Sequence, residues 1–83
     1  FFGFFMYYVY IIKSEEGFIY TGQTDNPQRR LFEHNNHSLS RWTKKGNNWK
    51  IVHLEEFLTR AEAMKREKWL KTGKGREFLK SIL

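Results

Sequence analysis

Residues 6–12 are apolar apart from tyrosine hydroxyls and rich in Tyr, Val and Ile, the composition of a strand. The polar run Lys13-Ser14-Glu15-Glu16-Gly17 then signals a turn, with Gly17 available for a positive φ, and residues 18–22 read as a second short strand. If residues 14–16 form a three-residue loop with Gly17 as the bulge after it, Tyr10 falls opposite Tyr20 and Ile12 opposite Phe18. Two phenols then share one sheet face. Asp25-Asn26-Pro27 joins a capping side chain to a first-turn proline and predicts a helix from Pro27 to about His34 or Asn35. Residues 37–49 are polar and longer than an ordinary connection, as functional loops often are. A third strand is expected over Lys50–Phe57. After it, Thr59-Arg60-Ala61-Glu62 reads as a capping box opening a helix that ends near Thr72, with Gly73 just past its end. A last short helix over 76–83 places Phe78, Leu79 and Ile82 on or near one stripe. The order ββαβαα predicts a small α+β domain: a three-stranded mixed or antiparallel sheet flanked by helices.

Length and composition narrow the classes. Eighty-three residues hold one small domain, taken as 1–83; Met6 as a natural initiator would make 1–5 an extension ahead of it. The 8 Phe, 4 Tyr and 3 Trp supply enough ring surface to drive a packed core, which argues against disorder. Without cysteine there is no disulfide framework, zinc ribbon or thiol nucleophile, which fits a reducing cytoplasm. The apolar start is shorter than the roughly 20 residues a membrane helix needs and lacks a signal peptide's basic flank, so no membrane partner is expected.

Charge points to an acidic ligand. The net +6 is uneven: −2 over residues 1–28, +5 over 29–50, −2 over 51–56 and +5 over 57–83. A basic middle and tail outside the apolar start suggest phosphate, with nucleic acid first among partners and a merely solubilising surface as the alternative.

Few residues are chemically out of place. Projected at 100° per residue, the second helix puts Ala63, Met64 and Leu70 on one arc, with Glu67 among them. Such a carboxylate is either paired to a nearby base or serves as a metal ligand or acid–base group. Arg30 and His34 share a helix face at i, i+4, either as a solvated surface or as part of a site, and Arg29 is an adjacent spare base. Tyr10 and Tyr20 are packing aromatics or chemistry. His34, His37 and His53 lack metal-site spacing, and Gly73-Lys74-Gly75-Arg76 is not a phosphate loop.

Together these residues resemble the GIY-YIG nuclease family, in its short single-domain bacterial form. Tyr8-Val9-Tyr10 stands at the first motif and Tyr20-Thr21-Gly22 at the second. Arg30 falls ten residues after Tyr20, His34 one turn on, and Arg66-Glu67-Lys68-Trp69 matches the segment with the family's metal-binding glutamate. Gln23 stands where some members carry a lysine. The resemblance covers residues 6–79 and implies a DNA endonuclease, with Glu67 holding one divalent cation, Mg²⁺ or Mn²⁺. It further implies that Arg30 contacts the phosphate and that a tyrosine, Tyr10 first, takes a proton from water. Nearby positive charge, from Arg30, the metal or His34, would lower that phenol's pKa, while Tyr20 orients the water or supports the phosphate. In residues 37–49, Arg41, Lys44 and Lys45 would meet phosphates and Trp42 would stack on a base, whereas Trp49 is read as core. A non-catalytic nucleic-acid-binding module on the same fold is the alternative, followed by a basic protein adaptor. A monomer or weak dimer is expected, since one site cuts two strands only as a dimer or in sequential events.

Overall fold

The computed structural model describes residues 6–36 and 45–83. Residues 1–5, read above as an extension, and Arg41, Trp42 and Lys44, read as nucleic-acid contacts, lie outside the described residues. Three strands, β1 (Tyr7–Lys13), β2 (Ile19–Thr24) and β3 (Lys50–Phe57), alternate with helices α1 (Pro27–Asn35), α2 (Arg60–Leu70) and α3 (Gly73–Ile82) in the order ββαβαα. The sheet is antiparallel with β1 in the centre, β2 on one edge and β3 on the other.

The central position of β1 explains why it reads as continuously apolar: both of its faces are covered. Val9 and Ile11 pack with Ala63 and Leu70 of α2 and Leu79 of α3, while Tyr10 and Ile12 pack with Trp49 on the side of α1, joined by Tyr20, Leu31 and Ile51. Trp49 is a core residue, as expected.

The hairpin register differs from expectation. Tyr10 lies opposite Gly22 and Ile12 opposite Tyr20, because the loop is residues 15–17, closed by hydrogen bonds between Ser14 and Phe18. Gly17 carries the positive φ, 97°. Moving the loop by one position slides each partner by two, so every side chain keeps its face. Tyr10 and Tyr20 therefore still share a face, diagonally rather than directly. Between Ile11 and Ile12 the β1–β3 register shifts by a bulge that leaves Val52 without a β1 partner.

Caps set the helix boundaries. The Asn26 side chain accepts from the Arg29 amide, and Thr59 and Glu62 close a reciprocal capping box. Asn35 exchanges two hydrogen bonds with the Trp49 backbone, at 2.7 and 3.1 Å, tying the end of α1 to the start of β3. Gly73 begins α3 instead of following α2 as a left-handed cap: the Thr72 hydroxyl accepts from the Gly75 amide and starts the new helix at once. Gly75 is buried where any Cβ would overlap the Trp69 carbonyl and Leu70 Cα, so α3 leaves α2 only through a residue without a side chain. The apolar stripes are narrower than expected. Met64 is half exposed and Ile82 faces outward, because Ala63 with Leu70, and Gly75 with Leu79, already fill the space beneath the two helices.

Candidate active site

Four elements converge beside β2. β1 delivers Tyr10, β2 delivers Tyr20, α1 delivers Arg30 and His34, and α2 brings Glu67 near enough for its charge to act on the Tyr10 phenol. The rings of Tyr10, Tyr20 and His34 are mutual neighbours, with centroids 6.1 Å apart for the tyrosines, 5.8 Å for Tyr10–His34 and 4.7 Å for Tyr20–His34. Tyr10 Oη lies 2.7 Å from His34 Nε2. His34 is only 1% exposed, so Arg30 and His34 do not form a solvated helix face.

Gly22 makes this arrangement possible. A Cβ there would stand 2.6 Å from Tyr10 Oη and 2.7 Å from Cζ, so the phenol lies flat against β2 only because position 22 has no side chain. Residue roles alone do not reveal this; a glycine inside a strand, facing a tyrosine, is the signal that was readable.

The electrostatics run against a simple ionised tyrosine. Burial pushes the Tyr10 hydroxyl far above the ordinary phenol range and Tyr20 adds to the shift, while Arg30 and its hydrogen bond offset only part of it. Arg30 does lower this pKa, as the sequence leads one to expect, but desolvation outweighs it. His34 moves the other way: burial, then the Arg30 charge, hold it below the ordinary imidazole value, with Glu33 opposing them. The 2.7 Å Tyr10–His34 bond takes its direction from the histidine tautomer: with the ring proton on Nδ1, Nε2 accepts and the Tyr10 hydroxyl donates.

Arg30 approaches Glu33 at 3.7 Å, yet its Nε is buried without a hydrogen-bond partner. A buried donor of this kind suits an anionic ligand. Glu67, 22% exposed, accepts from Lys71 Nζ at 2.8 Å. Lys71 does not stand out in the sequence, although its i, i+4 spacing from Glu67 is legible there. Among the described residues no three His, Cys, Asp or Glu side chains group as a metal cluster. A lone, partly buried carboxylate does fit a hard cation that keeps several waters and takes other oxygens from phosphate.

Other candidates stand apart. Arg29 is exposed and paired to Asp25 at 3.2 Å, and Lys45 is exposed ahead of β3. Gln23 lies on the sheet face away from Tyr10, where Arg60 donates to it at 3.3 Å. Arg66 forms a two-pronged pair with Glu55, at 2.8 and 3.1 Å, and His53 meets the same carboxylate at 2.9 Å. No helix among the described residues is long and apolar enough to cross a membrane.

The antiparallel sheet, covered on both faces, thus brings a Tyr–Tyr–His cluster, a helix arginine and a carboxylate on a later helix into one small α+β domain. The model of the GIY-YIG catalytic domain matches residues 6–79, and the chain belongs to the GIY-YIG family, which is generally one of endonucleases. Its relatives are UPF0213 proteins. One from Staphylococcus saprophyticus is 37% identical over 76 residues, covering 92% of this chain and 93% of that one. Another from Halobacterium salinarum is 39% identical over 62 residues, covering 75% and 80%. The solution NMR structure of a UPF0213 protein from Bacillus halodurans superposes with a TM-score of 0.55 at 29% identity, covering 92% of this chain and 83% of that one.

Proposed function

We propose that the protein is a metal-dependent endonuclease that hydrolyses phosphodiester bonds, with DNA as the first substrate to test. The observation that carries this reading is the buried Tyr10–His34 hydrogen bond, formed beside an arginine whose Nε is unpaired. A phosphate docked on the Arg30 guanidinium would satisfy that donor, and the planar fork would also stabilise charge gathering on the phosphate oxygens. Tyr10 takes a proton from the attacking water while its own hydroxyl proton passes to His34 Nε2. The phenol therefore never carries a full negative charge in a site that disfavours one. Tyr20, packed against both rings, holds the water or the phosphate in position.

Glu67 would hold the divalent cation, Mg²⁺ or Mn²⁺. The chemistry that cation supplies when bound is neutralisation of charge on the phosphate and the leaving oxygen. Lys71, which donates to that carboxylate, would keep it oriented. Arg29 and Lys45 remain candidates for backbone phosphates. With nucleic acid as substrate, we place the enzyme in the cytoplasm, acting as a monomer or weak dimer.

The test is cleavage of branched, single-stranded and duplex DNA with Mg²⁺ or Mn²⁺ by the wild type, Tyr10→Phe and Glu67→Ala. The wild type is expected to cut. Tyr10→Phe should lose about 10²–10⁴-fold, the range for a removed general base, and Glu67→Ala should bind without cutting. Undiminished cutting by both folded variants refutes the residue roles. Salt-sensitive binding by a wild type that never cuts would make the protein a non-catalytic nucleic-acid-binding module.

A further inference from the structure

A groove of about 690 Å³ runs along β2 on the side of α2 and α3. Its floor is apolar, built from Ile19, Leu70, Leu79 and Leu83. Its rim carries Lys13, Arg76 and Lys80, none of which makes an ion pair among the described residues, and no acidic side chain lines it. A cationic rim over an apolar floor is complementary to a ligand with an anionic edge and flat, weakly polar faces. The groove also joins the candidate active site. Tyr20 borders it, and Lys71, in its wall, holds Glu67.

We propose that this groove seats an unpaired strand of nucleic acid next to the point of cleavage, with bases on the leucine floor and phosphates on the Lys13–Arg76–Lys80 rim. A duplex keeps its bases stacked inside and offers nothing to an apolar floor, whereas an unpaired strand offers both base faces and phosphates. The volume lies within the range of ordinary ligand pockets, about 300–1,000 Å³, which suits one or two nucleotides and not a helix. The substrate would therefore be a strand that emerges unpaired from the cleavage point, such as a flap, gap or overhang. This rests on the nuclease reading only in linking the bound strand to the cutting site.

Binding is measured by fluorescence anisotropy in EDTA, where nothing is cut, using a short fluorescein-labelled single strand and the same strand annealed to its complement. The wild type is expected to prefer the single strand. Arg76→Ala/Lys80→Ala, both at exposed positions, should weaken that binding about tenfold, the order of two charge-assisted phosphate contacts. The same variant should reduce the slope of log affinity against log salt by about 0.7 for each phosphate no longer neutralised. Leu83→Ser, at an exposed floor position, should weaken single-strand binding several-fold and leave the salt slope unchanged, since it removes no charge. Arg60→Ala, at the far end of the sheet, is the control and should change little. Equal losses on duplex and single strand, no effect of Leu83→Ser, or equal competition by an acidic peptide would overturn the proposal. The two readings fail separately. Groove-dependent binding by a wild type that never cuts removes the nuclease assignment alone; Tyr10-dependent cutting without groove-dependent binding removes the groove alone.

Discussion

Replacing Gly22 with alanine places a methyl group against the central phenol of the candidate site. The new Cβ would stand 2.6 Å from Tyr10 Oη, 2.7 Å from Cζ and 2.9 Å from Cε1, while ordinary contact begins at 3.4 Å. The hydroxyl end of the ring must withdraw by about 0.8 Å, the difference between those distances. Tyr10 is fully buried with Ile12 and Trp49, so the surroundings do not yield freely. Overpacking of this kind costs about 1–3 kcal/mol. Losing the 2.7 Å bond to His34 adds about 1 kcal/mol. A total of about 2–4 kcal/mol lowers Tm by at least roughly 8 °C in a domain of this size, at about 4–8 °C per kcal/mol. Urea and thermal unfolding followed by circular dichroism read this directly. The decisive comparison is the same substitution in a Tyr10→Ala background. Once the ring is gone the penalty should vanish, and alanine becomes favourable over glycine in a strand by about 0.5–1 kcal/mol. A Gly22→Ala protein within about 0.5 kcal/mol of wild type, the scale of neutral surface changes, refutes the reasoning. So does a penalty that survives the loss of Tyr10.

Further consequences follow from other contacts. Gly75→Ala should destabilise more than Gly22→Ala, because its Cβ meets backbone, which cannot rotate away; chemical denaturation of the two variants side by side checks the order. Arg66→Ala should cost about 1.5–3 kcal/mol, the scale of hydrogen bonds to a charged group, by leaving the partly buried Glu55 carboxylate with His53 alone. Burial raises the Glu55 carboxyl, but the Arg66 and His53 hydrogen bonds and charges outweigh it and leave the net value below 4.5. That contribution is full above pH 4.5 and fades as pH falls through the lower folded value, so unfolding curves of wild type and Arg66→Ala should converge in acid; a constant gap contradicts the pairing. In the proposed cleavage step, His34 accepts the Tyr10 proton only while neutral. Because burial holds His34 below 6.5, the acid limb of kcat/KM should have its midpoint below that value; a midpoint above it removes His34 from the proton path.

Much of the fold is legible in the sequence because its causes are local. The apolar run of residues 6–12, the Asn26-Pro27 helix start and the Thr59–Glu62 capping box each depend on residues within a few positions, and each element forms where those signals stand. The one-residue error in the hairpin loop leaves the sheet faces intact, so the shared face of Tyr10 and Tyr20 is recoverable despite the wrong register. Gly73 misleads because its surroundings satisfy two local rules at once. Glycine after a helix suggests a stop, but the Thr72 hydroxyl capping Gly75 makes it the start of α3.

Local signals along the chain were enough for the order ββαβαα and the caps, while the candidate site residues were singled out by their resemblance to the GIY-YIG motifs. What those residues are depends on packing. Only packing shows that His34 is buried and held below the ordinary imidazole value, that Tyr10 resists ionisation, and that Gly22 is the surface on which the phenol lies. Only packing turns Arg66 toward Glu55, and only it gathers Lys13, Arg76 and Lys80 around one groove. The difference is one of range. Periodicity and capping are set by near neighbours in the chain, whereas desolvation, steric exclusion and charge coupling depend on neighbours in space. The latter come from strands and helices far apart in the chain, so their effects exist only once the sheet has closed and the helices have docked.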